Sequence, residues 1–209
     1  MIFDCDGVLV DSELIANRVL AAQITEAGLP VTTAESMQLF MGRRWEDSLS
    51  QIERRLGRPL PADFSDVYRE RRDAALHAEL QPVEGIAAAL ARIPIPRCVA
   101  SSGPVDKIRF TLGRTGLLEI FEGRIFSAHE VEHGKPAPDV FLYAAEGMGA
   151  DPARCAVVED SLVGVEAGVA AGMTVFGYCG HFDAEAMAAA GARPFAAMAL
   201  LPGLLAARH

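Results

Sequence analysis

The stretch Asp4-Cys5-Asp6-Gly7-Val8-Leu9-Val10-Asp11-Ser12 decides how this chain is read. It follows a short apolar start, Met1-Ile2-Phe3, and runs at once into a glycine. With Ile2 and Phe3 in a strand, the alternation of side chains sends Asp4 and Asp6 to the same side, and Gly7 lets the backbone turn beneath them. Two carboxylates held that close call for a cation. The arrangement suits a divalent metal, with one carboxylate attacking phosphorus and the other moving protons, as in enzymes that work through an aspartyl phosphate. Acidic residues with glycine also build Asx turns, and D-x-D-G echoes part of a calcium loop. That loop needs a third acid before the glycine and a helix on each side, and neither helix is offered here.

At 209 residues, 51% of them hydrophobic, the chain can bury a substantial core as one large domain or one domain plus a smaller one. No apolar run approaches the length of a membrane span, and the N-terminus lacks the regions of a signal peptide, so a cytoplasmic location is expected. Cys5, Cys98, Cys155 and Cys179 are widely spaced with no C-x-x-C pair, which reads as reduced thiols rather than a zinc knuckle or a disulfide framework. The net charge of −9 argues against a nucleic-acid or anionic membrane surface and favours a small-molecule partner; a monomer is expected. Arginines are many, but Lys107 and Lys135 are the only lysines, so each asks for an explanation.

From residue 14 to about 79 the pattern is helical throughout: 14–27 closed by Gly28, 34–41 closed by Gly42, 45–56 closed by Gly57, then 62–80. Glycines at those points suit helix C-termini, which favour a left-handed residue. After Pro82 short apolar runs alternate with helices: 98–100 then 104–115, 124–127 then 138–147, 155–158 then 162–171, 174–178 then 184–190. Such alternation predicts an α/β fold, a Rossmann-like parallel sheet with helices on both faces. Residues 1–4 supply its first strand. The expected domains are therefore a core of residues 1–12 and 81–209 and an all-helical cap of residues 13–80, a lid whose two crossings lie near the carboxylates.

Ligands of open parallel sheets bind beyond the carboxyl ends of the strands. The strands here end at Asp4 and Asp6, at Ser101-Ser102-Gly103, before Gly134-Lys135-Pro136, and at Glu159-Asp160-Ser161. Together these offer a nucleophile, an acid/base, hydroxyls and N–H groups for phosphate, a fixed cation and a second acidic pair for metal. Each has a plainer reading: Ser-Ser-Gly-Pro starts a helix, Glu159-Asp160-Ser161 caps one, and Lys135 is a loop charge. Four plain coincidences at four successive strand ends are less economical than one site.

In this order, and with a helical insert after the first, D-C-D-G-V-L-V-D-S, S-S-G, G-K-P-A-P-D and V-V-E-D-S resemble the four motifs of the haloacid dehalogenase-like hydrolases. The nearest branch holds phosphoglycolate phosphatases, sugar-phosphate phosphatases and β-phosphoglucomutases. The likeness spans nearly the whole chain. It implies Asp4 as nucleophile, Asp6 as general acid/base, and phosphate binding by Ser101, Ser102 and Lys135. It also implies Mg2+ as cofactor, held by Asp4, the Asp6 carbonyl and Asp160 with Glu159 beside it. The substrate expected is a small phosphorylated metabolite, a sugar phosphate or a phosphorylated sugar acid such as phosphogluconate or phosphoglycolate. A mutase of the β-phosphoglucomutase type is the alternative, weakened by Ala16, where the resembling mutases carry histidine in the first lid helix; a non-catalytic phosphometabolite-binding protein is a third reading. Ordinary dehalogenation would leave Asp6 and the Glu159-Asp160 pair without a purpose.

Two further segments bear on function. His129-Glu130-Val131-Glu132-His133 matches H-E-x-x-H, but that zinc signature requires a regular helix, and a strand-like run precedes it while glycine and two prolines follow. It reads as a chance match. Gly42-Arg43-Arg44-Trp45, between two lid helices, could meet the part of a substrate that points away from phosphorus. Arg43 and Arg44 would grip a second anion bidentately and Trp45 would add an apolar surface; solvated surface charges are the plain alternative.

Overall fold

The computed structural model describes residues 1–41, 45–180 and 182–206. Six strands, β1 (Ile2–Phe3), β2 (Cys98–Ser101), β3 (Ile125–Ser127), β4 (Ala156–Glu159), β5 (Thr174–Tyr178) and β6 (Arg193–Phe195), form one sheet in the order β3-β2-β1-β4-β5-β6. Every pairing is parallel. β1 is central: Ile2 pairs with Cys98 on one side and Val157 on the other. The chain winds outward from β1 to β3 and then crosses to β4, so the strand order reverses at β1, where parallel sheets open a crevice beyond the strand ends.

The helices of this unit are α5 (Ile86–Arg92), α6 (Val105–Arg114), α7 (Leu118–Phe121), α8 (Asp139–Gly147), α9 (Leu162–Ala170), α10 (Ala184–Ala189) and α11 (Leu201–Ala206). Alternation sends neighbouring strand residues to opposite faces, and both faces are covered. Ile2, Cys98, Val157 and Val175 join the cluster that holds Phe141, Val165 and Met187. Phe3 instead meets Phe121 edge-on at 6.1 Å between ring centroids.

The helices α5, α7 and α11 and the strand β6 were not anticipated. α7 is one turn, too short for a period to register, and β6 carries Pro194, which lacks an N–H and suits only an edge strand. β1 is shorter than the expected 1–4, although the Asp4 N–H still donates to the Val158 carbonyl at 3.0 Å. β4 runs one residue further than expected and takes in Glu159.

Among the described residues, the inserted segment holds four helices, α1 (Glu13–Glu26), α2 (Thr33–Phe40), α3 (Trp45–Leu56) and α4 (Phe64–Glu79). The chain divides into two compact units, one of Met1–Val10 with Gln81–His209 and one of Asp11–Leu80. The helical unit has its own core, in which Leu20, Ile24, Phe40, Ile52, Phe64 and Tyr68 are buried. Gly28, at φ +103°, follows α1 in the left-handed conformation expected of it. Within the sheet unit, Val10 and Pro82 form an isolated antiparallel bridge, which ties together the points where the insert leaves and returns.

Candidate active site

The turn after β1 is built by short-range backbone bonds: Gly7 N–H donates to the Val10 carbonyl at 2.8 Å and Leu9 N–H to the Cys5 carbonyl at 2.9 Å. Gly7 sits at φ +77°, and a Cβ there would lie 1.9 Å from Asp160 Oδ2. The missing side chain is what lets the Asp160 carboxylate, 5% exposed, press against the turn that carries Asp4 and Asp6.

Lys135 crosses the strand ends from the loop after β3. Its Nζ donates to Asp4 Oδ1 and to Glu159 Oε1, both at 2.6 Å, reaches the Ala100 carbonyl at 3.5 Å, and lies 4.8 Å from the centroid of the Phe141 ring. The three side chains are almost wholly buried, at 4% for Lys135, 9% for Asp4 and 1% for Glu159. Burial pushes the Asp4 carboxyl up to about 7, against the pull of Lys135 and with help from Glu159 and Asp6. For Lys135 burial acts downward, but Asp4 and Glu159 outweigh it and hold the ammonium above its usual range.

Glu159, expected to help hold magnesium, meets protein partners at both of its oxygens. Oε1 takes Lys135, while Oε2 accepts from both the N–H and the hydroxyl of Ser161 at 2.9 Å. A carboxylate so engaged orients the lysine. Ser161 in turn caps α9, its Oγ accepting from Gly164 N–H at 3.1 Å, which is the plain capping reading of the serine. Glu159 has room because Gly164 has no side chain: a Cβ there would lie 1.8 Å from Oε1.

Ser101 is buried at the end of β2 and its Oγ accepts from Gly103 N–H at 3.2 Å; Ser102 is exposed beside it. The Ser127 hydroxyl, at the end of β3, donates to the Gly103 carbonyl at 2.7 Å and braces this turn from the neighbouring strand, a contact no sequence signal announced. The sequence also left Lys107 without a place. Its Nζ lies 2.8 Å from Asp6 Oδ2, so both lysines of the chain serve the two motif aspartates. Their scarcity was the available signal.

His129 belongs to a 3-10 turn, Ala128–Glu130, and Glu130 Oε2 accepts from Ser127 N–H, closing a capping box. His133 is 63% exposed, its Nδ1 3.5 Å from Asp139 Oδ2. The regular helix that H-E-x-x-H requires is absent from these residues. Arg43 and Arg44 lie outside the described residues. Trp45, which opens α3, stacks on Tyr68 at 4.7 Å and donates from Nε1 to Ser65 Oγ at 2.9 Å.

Among the described residues no cluster of three or more His, Cys, Asp or Glu side chains gathers as a ready metal site. The residues nonetheless fit a hard cation. Asp4, Asp6, Glu159 and Asp160 set four carboxyl groups against the ammonium groups of Lys107 and Lys135, so acidic groups outnumber cations within this set of six. The candidate donors are all oxygens: the Asp4, Glu159 and Asp160 carboxylates and the Asp6 carbonyl.

A buried aspartate held by lysine, with a second aspartate two residues on, lies at the switch point of the parallel sheet, where ligands of such sheets bind. A family model of the haloacid dehalogenase-like hydrolases matches residues 1–172, and the chain belongs to that family. The 6-phosphogluconate phosphatase of Escherichia coli (strain K12) is 33% identical over 178 residues, covering 85% of this chain and 80% of that one. A haloacid dehalogenase-like protein of Agrobacterium tumefaciens strain C58 superposes with a TM-score of 0.92 at 37% identity, over 99% of this chain and 96% of that one. A hydrolase of the same family from Deinococcus radiodurans R1, solved with bound phosphate and sodium, gives a TM-score of 0.86 at 34% identity, over 99% and 94% of the two chains. By site and membership the protein is an enzyme of the phosphoric monoester hydrolase class. Among the described residues no helix is long and apolar enough to cross a membrane.

Proposed function

We propose that this chain is a magnesium-dependent phosphatase of small phosphorylated metabolites that works through an aspartyl phosphate on Asp4. The observation that carries the reading is the buried contact of Lys135 with Asp4, 2.6 Å long, at the end of the central strand. A phosphate dianion repels an incoming carboxylate, and the lysine offsets part of that repulsion where attack must occur. Asp4, Asp160 and the Asp6 carbonyl would hold magnesium, which when bound would neutralise further charge on the transferring phosphoryl group. Asp4 attacks phosphorus as the bond to the leaving oxygen breaks, and Asp6 gives that oxygen a proton. Asp6, now a carboxylate, takes a proton from the water that cleaves the aspartyl phosphate and restores Asp4. Ser101 and Ser102, with the N–H groups that open α6, are assigned to the phosphate oxygens.

The substrate class we favour is a phosphorylated sugar or sugar acid. It is supported by the likeness to a 6-phosphogluconate phosphatase and by Arg43 and Arg44, whose guanidinium forks suit a distal carboxylate. Released phosphate measured over a panel of esters with magnesium tests the reading; 6-phosphogluconate and phosphoglycolate should outrun neutral alcohol phosphates. Absence of release from every ester overturns it. An isomerised sugar phosphate formed without release would replace it with a mutase.

A further inference from the structure

α6 touches the nucleophile turn twice along one face. Lys107 Nζ lies 2.8 Å from Asp6 Oδ2, and one helical turn later Thr111 Oγ1 lies 3.6 Å from the sulfur of buried Cys5. The lysine stem reaches Asp6 across Gly103, where a Cβ would stand 3.3 Å from Lys107 Cδ. The stem therefore passes over the Ser101-Ser102-Gly103 turn on its way to the proton-handling carboxylate. The pair is partly buried, with 29% of the lysine side chain and 22% of the aspartate side chain exposed.

A short aspartate side chain at a strand end has several staggered rotamers, and only one can present its carboxyl to the leaving oxygen. A misplacement of about 1 Å in such a group can cost on the order of 10²-fold in rate. An ammonium fixed by its helix at one carboxyl oxygen selects among those rotamers. Lys135 makes the corresponding contact with Asp4 in deeper burial.

We propose that Lys107 is the positioning residue for Asp6. It sets the carboxyl that gives its proton to the leaving oxygen and does not itself bind the phosphoryl group. This rests on the assignment of Asp6 as the group that handles protons. In that step an Asp4 oxygen bonds to phosphorus and the bond from phosphorus to the leaving oxygen breaks. The electron pair stays on the leaving oxygen, and the Asp6 proton joins it there. An alkoxide leaves poorly without that proton, whereas p-nitrophenolate leaves readily, so in the phosphorylation of Asp4 losing Lys107 must tell on the alkyl ester and spare the aryl ester, while the later hydrolysis of the aspartyl phosphate is common to both.

The test compares wild type, Lys107→Met and Lys107→Arg on 6-phosphogluconate and on p-nitrophenyl phosphate, with magnesium. For Lys107→Met, kcat/KM on the alkyl ester, which reports the steps up to phosphorylation of Asp4, should fall roughly 10- to 100-fold, while kcat/KM on the aryl ester stays within about 3-fold. Lys107→Arg should recover part of the lost kcat/KM. Equal losses of kcat/KM on both esters, or no loss on either, overturns the proposal. A crystal structure of metal-free Lys107→Met, or of Lys107→Arg if the first does not fold, supplies a readout independent of activity. Asp6 should leave its wild-type rotamer in the methionine variant, or follow the longer side chain in the arginine variant; an unmoved carboxyl overturns the proposal. A wild type inactive on both esters would count against the phosphatase reading, and the crystallographic comparison would still decide the role of Lys107.

Discussion

Lys135 places its ammonium 2.6 Å from Glu159 Oε1, although the two residues leave different strands and are 24 positions apart in the chain. The same nitrogen holds Asp4, so one cation satisfies two carboxylates that have almost no access to water. Replacing Lys135 with methionine would leave both buried without their partner. Removing one member of a buried ion pair typically costs ~3–5 kcal/mol, so Lys135→Met should lose stability on that scale in urea unfolding as well as activity. Unfolding at the wild-type midpoint would show that water or another cation takes the lysine's place.

Gly164 offers a test that touches no group in contact with substrate. Glycine to alanine inside a helix ordinarily stabilises by ~1 kcal/mol, but here the new methyl would meet Glu159 Oε1 at 1.8 Å and Cδ at 1.9 Å. Gly164→Ala should therefore lower the melting temperature and, by displacing Glu159 from Lys135, lower kcat. A rise in melting temperature with unchanged kcat would mean that Glu159 moves aside without consequence.

Asp4→Asn should abolish turnover while the fold persists, because the amide is nearly the same size but not a nucleophile. Loss of a general acid or base alone costs ~10² to 10⁴, so residual activity above roughly a hundredth would remove Asp4 from the nucleophile's role. Chelator should abolish activity and magnesium restore it, with zinc a poor replacement at a site of oxygen donors. Asp160→Asn should raise the magnesium concentration needed for half activity; an unchanged requirement would take Asp160 out of the metal site.

The thiols give a dependence on pH. Burial pushes Cys98 up to about 12, Cys5 well above the usual thiol range and Cys155 upward as well, so all three stay protonated in the folded protein where a free thiol would ionise. A thiol reagent near pH 8 should react first with Cys179, the only one of the four that is not buried. The sign for stability follows. The unfolded chain releases these protons near pH 9 and the folded chain holds them, so stability is full below about 9 and falls as pH climbs toward 12. Melting curves from pH 8 to 11 under reducing conditions should show the decline, and Cys98→Ala should flatten it.

Some of the site was legible because its chemistry is local. Asp4, Asp6 and Gly7 are neighbours in sequence, so a strand followed by a turn was enough to bring the two acids together. The alternation of apolar runs and helices after Pro82 was enough for a parallel sheet, and its strand ends pointed to Ser101, Lys135 and Asp160. Glu159 was read as a metal neighbour from its place beside Asp160, and no local pattern announced that its oxygens meet Lys135 and Ser161. Arg43 and Arg44 retain only their sequence argument.

The sequence by itself determined that the chain forms a parallel α/β sheet interrupted by a helical insert, and that an acidic pair closes the first strand. Periodicity, glycine placement and nearest-neighbour spacing are local properties, and they survive without knowledge of packing. Only the tertiary structure decided that β1 lies between β2 and β4, and that Lys107 crosses Gly103 to a carboxylate 101 residues away. It alone decided that Asp160 and Glu159 occupy the space two glycines leave empty. Those are relations among side chains distant in sequence, settled by strand order and close packing, which no local pattern records.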